Sequence, residues 1–213
     1  MSGPSDLDAV RDSYDRVADA YVDLGLGRLD DEPWLRAALA AFAEQVSGLG
    51  PVLDAGCGPG HVAAHLAGLG LDVRAVDLSP RMVEHARRLH PDLDVRVASV
   101  TELDLAEASL GGVLGWWSWF NLPRDVLPTV LSGMARALVP GGRLLLGTHV
   151  GTEDLRRTEA YGGVPVRWTT HRWLPEQLGR LLAATGLEVD VELRFPARGT
   201  QPPQVLLAAG RPS

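Results

Sequence analysis

The stretch Val52 to Gly60, V-L-D-A-G-C-G-P-G, limits what this chain can fold into more than any other segment. An apolar run suited to a buried strand leads into a turn with glycines at 56, 58 and 60, and a helical pattern follows. Such glycines let the backbone approach a ligand closely, and the next helix presents its unpaired N–H groups to it. A dinucleotide fingerprint would need a further glycine at position 61, which is His61. Asp54, just ahead of the turn, suits an ammonium group and would repel a pyrophosphate. A second run ends in A-V-D-L-S-P and places Asp77 about twenty residues further on, the distance at which an acid captures ribose hydroxyls. Asp77 also precedes Ser79, a helix cap residue, which is the purely structural account of that position.

Around this motif short β-branched runs alternate with helical patterns, which implies a mostly parallel α/β sheet. Strands are expected at Val52–Ala55, Asp72–Val76, Val95–Ala98, Gly112–Trp116, Arg143–His149, Gly186–Phe195 and Gln204–Ala209. Helices are expected at Leu7–Tyr21, Pro33–Val46, Gly60–Leu69, Pro80–Leu89, Leu127–Leu138 and Pro175–Ala184. Val150 to Trp173 is too long for an ordinary connection and reads as a functional lid or a disordered loop. With 213 residues, one domain is expected: an N-terminal helical lid over 1–48, a ligand-binding core over 49–150, and a second lid with the last strands over 151–213.

Composition removes several function classes. All 20 basic residues are Arg, so Schiff-base lysine chemistry and a phosphate-loop lysine are excluded. The net charge of -7 and the lack of a basic stripe argue against nucleic acid. One cysteine, Cys57, rules out an internal disulfide framework. No signal peptide and no run of 18 apolar residues is found, so a cytoplasmic protein without membrane segments is expected, and no metal site is read.

Taken together, V-L-D-A-G-C-G-P-G, A-V-D-L-S-P-R-M, W-W-S-W-F-N-L-P and A-L-V-P-G-G-R-L-L-L resemble the class I S-adenosylmethionine-dependent methyltransferases, especially their small-molecule branch. The resemblance covers roughly residues 10 to 210 and implies a Rossmann-like, seven-stranded sheet with an antiparallel last strand and helices on both faces. It implies that Ala55, Gly56, Cys57 and Gly58 line the methionine part of S-adenosylmethionine, with Asp54 organising its ammonium. Asp77 would hold the ribose, and Leu78 and Met82 would flank the adenine. Where relatives often carry an acid near the adenine, this chain has Ala98-Ser99-Val100, leaving Ser99 as acceptor and Val100 beside it. In Y-D-R-V-A-D-A-Y, Tyr14 and Tyr21 are either residues that close over the cofactor or helix-face core, and Arg16 or Arg28 could meet its carboxylate.

Trp116, Trp117, Trp119 and Phe120 follow the fourth strand, where aromatic faces could hold a cation. Trp116 lies nearest the expected cofactor edge. Related sequences often place His where this chain has Asn121, which can orient a substrate but not accept its proton. That leaves His149, then His171, as candidate bases, each with a structural alternative, while His61, His65, His85 and His90 read as solvated. Methyl transfer needs no base when positioning is good. The resemblance therefore implies methylation of O or N on a small molecule, anionic or aromatic given the arginines of 150–173, by a monomer or homodimer. The alternative is a non-methylating use of the bound sulfonium, such as cyclisation or decarboxylation. A nicotinamide oxidoreductase is disfavoured by His61.

Overall fold

A strand covered on both faces is expected to be mostly apolar, and β1 (Val52–Ala55) is buried at every position, with Asp54 its one charged residue. It pairs in parallel with β2 (Val73–Asp77) on one side and β4 (Leu110–Trp116) on the other. β3 (Asp94–Val97) extends the sheet beyond β2, and β5 (Leu138–His149) extends it beyond β4. β9 (Gln204–Gly210) runs antiparallel between β5 and β8 (Glu188–Phe195), completing the order β3-β2-β1-β4-β5-β9-β8. The chain leaves β1 towards β2 and β3 and then returns to β4 on the opposite side. Ligands of open α/β sheets bind at the carboxyl ends of the strands beside such a reversal. The computed structural model describes residues 4–27, 29–199 and 201–213.

Strand alternation divides the core in two. Val52, Ala75, Leu114 and Leu145 face α2 (Pro33–Val46), α3 (His61–Gly68) and α4 (Pro80–Leu89), meeting Phe42, Leu66 and Val83. Leu53, Val113, Leu144 and Leu146 face α5 (Leu127–Ala137) and α6 (Pro175–Ala184), meeting Leu131, Met134, Leu178 and Leu182. The seven-stranded sheet with helices on both faces is therefore the one expected, its antiparallel strand lying one place in from the edge. β1, α2, α4 and α6 keep their expected bounds. β5 starts earlier than expected, at Leu138, which pairs with Leu110. The strand then bulges around Pro140 and Gly141 (φ +79°) before Arg143 pairs with Gly112.

The expectation that Val150 to Trp173 is an irregular or disordered connection needs correction. It contains an antiparallel hairpin, β6 (Leu155–Ala160) and β7 (Val164–Thr170). Val166, Trp168 and Thr170 are buried at alternate positions, and the turn crosses Tyr161, Gly162 and Gly163, all with positive φ. α1 (Pro4–Asp23) lies on this hairpin. Its Val10 and Val17 pack against Val166 and Trp168, the Arg167 amide donates to Ser13 Oγ at 2.9 Å, and Arg16 Nε donates to the Pro165 carbonyl at 3.2 Å.

Candidate active site

The glycine turn after β1 is held open by its backbone. Gly56, Gly58 and Gly60 have φ of +94°, +54° and +82°, a region other residues rarely adopt. A Cβ at Gly56 would also stand 2.4 Å from Ser118 Cβ. Asp54 is fully buried beneath this turn, and neither carboxylate oxygen has a hydrogen-bond partner that meets normal geometry. Burial first, then the charge of Asp77, raises its pKa to about 7, while the Ala63 amide at the start of α3 opposes the shift. An unpaired buried acid is costly. This one stands on the wall of a cavity of about 680 Å³.

Asp77, at the end of β2, is positioned by two backbone donors: Gly58 N–H reaches Oδ2 at 2.8 Å and Ser79 N–H reaches Oδ1 at 2.9 Å. Each oxygen keeps an acceptor direction for a ligand. Ser79 caps α4, its Oγ accepting from the Met82 amide at 3.1 Å and donating to Asp15 Oδ1 of α1 at 2.5 Å. Asp15 also accepts from the Arg81 amide at 3.1 Å, and Asp19 meets Arg81 at 2.9 Å and His85 Nε2 at 2.7 Å. The first helix is thus latched to the start of α4, directly behind Asp77.

Because β1, β2 and β3 lie on one side of the reversal and β4, β5 and β9 on the other, the cavity wall has two halves. Asp54, Gly56, Cys57, Gly58, Asp77, Leu78, Met82, Ser99 and Val100 line the first. Trp116, Trp117, Phe120, Asn121, His149, Arg157, Thr170, Phe195 and Gln204 line the second. Tyr14 and Trp168 join the wall from α1 and the hairpin, their rings stacked 4.8 Å apart. Asn121 Nδ2 donates to Tyr14 Oη at 2.9 Å, which ties α1 to the turn after β4. Tyr21 also lines the cavity, edge-on to Tyr161 at 5.2 Å. Ser99 Oγ shares a 2.7 Å hydrogen bond with Thr101 Oγ1.

Some expected residues stand elsewhere. Ala55 is off the wall, and its carbonyl accepts from Ser118 Oγ at 2.9 Å and Trp119 Nε1 at 2.8 Å. That bond seats Trp119 in the core, with only its edge on the cavity wall. Arg28 lies outside the described residues, and Arg16 is spent on the Pro165 carbonyl. His171 is not on the wall; its Nδ1 is 2.7 Å from Asp154 Oδ2, an acid shared with Arg124. His149 is on the wall, with its ring 4.8 Å from that of Phe120 and its Nδ1 buried without a partner. Burial, followed by Arg157 and Arg172, lowers its pKa to about 4. The reading of the remaining histidines as solvated also needs correction: His85 is buried between Asp19 and Arg88, and His61 lines the cavity with Nδ1 3.2 Å from His90 Nε2.

A family model described as a methyltransferase domain matches residues 52–142, which hold the glycine turn, Asp77 and the strands that carry them. Over those residues the chain resembles a methyltransferase domain. It is 38% identical over 142 residues to a demethylmenaquinone methyltransferase of Beutenbergia cavernae, a match covering 66% of this chain and 55% of that protein. It is 29% identical over 196 residues to a malonyl-(acyl-carrier protein) O-methyltransferase of Erwinia billingiae, covering 88% of this chain and 74% of the relative. The chain thus spans about half the length of the first relative and three quarters of the second. Among solved structures it resembles a Burkholderia thailandensis 1,6-didemethyltoxoflavin-N1-methyltransferase with a TM-score of 0.74 and 23% identity, over all of this chain and 92% of that one. The residues present fit S-adenosylmethionine in chemistry: an orphaned acid for an ammonium, glycine backbone for close approach, and a second acid held with free acceptor directions.

Proposed function

We propose that this protein places a methyl group on an oxygen or nitrogen of a small molecule. The observation that carries the reading is one cavity shared by the unpartnered Asp54, the glycine turn and Asp77 on one half and an aromatic wall beyond β4 on the other. When bound, S-adenosylmethionine supplies a sulfonium methyl: the acceptor's lone pair forms the new bond, the C–S electron pair stays on sulfur, and the acceptor's proton leaves. Asp54 would hold the ammonium, Gly56, Cys57 and Gly58 the methionine chain, Asp77 the ribose, and Leu78, Met82, Ser99 and Val100 the adenine. Tyr14 and Tyr21 line the site from α1 and would close it over the cofactor, and Trp116 would stand beside the transferred group. The lid over 1–48, the core over 49–150 and the remaining segment to 213 divide these tasks. The aromatic rings and arginines of the second half suit an aromatic or anionic acceptor.

Incubation with methyl-labelled S-adenosylmethionine and a panel of phenols, amines and carboxylic acids should transfer label in a one-to-one ratio with S-adenosylhomocysteine release. Failure of S-adenosylhomocysteine to bind by calorimetry would overturn the reading. We also infer a cytoplasmic monomer or homodimer. The lone cysteine supports a reducing compartment, and no described helix is long and apolar enough to cross a membrane.

Rate enhancement in this reading comes mainly from positioning, which supplies roughly 7 to 11 kcal/mol in well-oriented reactions. His149 is neutral above about pH 4 and is therefore a weak base. His149→Gln should lower turnover by less than about 100-fold, with cofactor affinity unchanged, whereas a true general base contributes about 10²- to 10⁴-fold. A larger loss in a folded, cofactor-binding variant would make His149 the base and defeat the positioning account.

A further inference from the structure

The half of the cavity beyond β4 has a composition that narrows the acceptor. Its wall is built of rings: Phe120 lies 4.8 Å from His149, and Trp117 is pressed on Gly147, where a Cβ would stand 2.5 Å from the indole. Trp117 takes φ +47°, a conformation that β-carbon sterics make costly. Residues are held in such regions only where the surroundings enforce them, and here the left-handed backbone sets the indole on the cavity wall. Trp117 Nε1 and His149 Nδ1 are both buried without hydrogen-bond partners. Buried polar atoms normally find partners, so both are candidates to meet a ligand.

Charge points the same way. Arg157 of β6 and Arg198 line the cavity, and neither guanidinium forms a hydrogen bond or ion pair with another described residue. Neighbouring arginines are spent: Arg124 on Asp154, and Arg172 on the Glu153 carbonyl. Glu159 of the hairpin and Glu32 also line the wall, so Arg157 and Arg198, held by neither, are the cavity's cationic groups. Arg157 is close enough to His149 to disfavour the charged imidazole, which places its positive field at the ring wall. Planar rings stack favourably on such a wall, and a guanidinium binds a carboxylate through two parallel hydrogen bonds.

We propose that the acceptor is a planar aromatic molecule carrying an anionic group, its ring held against Phe120, Trp117 and His149 and its anion by Arg157. This rests on the methyl-transfer reading and names the substrate class for the same site. A hydroxyl on such a ring is made more acidic by a nearby guanidinium, which stabilises its oxyanion, so the acceptor can lose its proton to water without a strong base on the protein.

Calorimetry on protein saturated with S-adenosylhomocysteine tests this with matched pairs: 3,4-dihydroxybenzoate and 3-hydroxy-2-naphthoate, each against its carboxamide, and 4-hydroxycyclohexanecarboxylate as a non-aromatic acid. At least one aromatic acid should bind about tenfold more tightly than its amide and than the non-aromatic acid. Arg157→Gln should bring the acid-to-amide ratio close to one, and Arg157→Lys should restore part of it. Arg157 is exposed on the hairpin, so both variants should fold, as thermal melting will show. Equal affinity for acids and amides, binding of neither, or a preference that survives Arg157→Gln overturns the proposal. If S-adenosylhomocysteine binds while these outcomes fail, only the substrate class falls; if it does not bind, the methyl-transfer reading falls as well.

Discussion

Asp77→Ala is expected to weaken S-adenosylhomocysteine binding by about 10- to 100-fold, the size of one or two charge-assisted hydrogen bonds. Two effects combine in that loss. The carboxylate is the proposed acceptor for the ribose hydroxyls, and it also fixes the cradle, because its oxygens accept from Gly58 and Ser79. Removing it leaves two amides without acceptors, so a drop in stability of about 1 to 3 kcal/mol should accompany the binding defect. Binding is therefore measured by calorimetry well below the midpoint of thermal unfolding. With saturating acceptor, KM for the cofactor should rise far more than kcat falls, since Asp77 is remote from the transferred methyl in this assignment. An unchanged dissociation constant in a folded variant would remove Asp77 from the cofactor site.

The parts of this site legible in the sequence are those whose chemistry is local. Val52 to Gly60 encodes its own strand, turn and helix start, and Asp77 lies one βα unit later, so both could be placed without tertiary information. His85 could not. It falls on the apolar stripe of α4 with Met82, Val83 and Ala86, and its burial depends on Asp19 arriving from α1, 66 residues away. Asn121 is similar: its partner Tyr14 is 107 residues distant. Tertiary latches of this kind leave no periodic trace in either segment.

The hairpin is a different case, since its signal was present. Val164, Val166, Trp168 and Thr170 alternate with more exposed residues as strand residues do, and Gly162-Gly163 supplies the positive φ of a tight turn. The arginines of 150–173 divide between solvent and cavity: Arg157 lines it, while Arg167 and Arg172 do not. The same register explains why His171 stands apart. It follows the end of β7 and pairs with Asp154 near the start of the hairpin, whereas His149 ends a core strand and points to the cavity.

Asp54→Asn should separate stability from function in opposite directions. The carboxyl titrates near 7 in the folded protein, mainly because burial disfavours its charge, against about 3.9 in an unfolded chain. Between those values the folded state holds a proton that the unfolded state has lost, so stability falls as pH rises through this window. The difference of about three units corresponds to roughly 4 kcal/mol as an upper bound, present in full above pH 7. An uncharged amide removes that penalty, and the variant without ligand should therefore melt higher than the parent at pH 8 and show little advantage at pH 4. Asp77 is also shifted upward and is left in place, so the comparison rests on the difference between the two pH profiles. Cofactor binding should move the other way. An ammonium favours ionised Asp54, and affinity of the parent for S-adenosylhomocysteine should rise with pH up to about 7 and then level off. Asp54→Asn should bind at least tenfold more weakly at pH 8 and lose most of this rise. Destabilisation of the variant at pH 8 would mean that the acid has a partner in the folded protein. A parent affinity that is flat from pH 5.5 to pH 8 would mean that the cofactor's ammonium sits elsewhere.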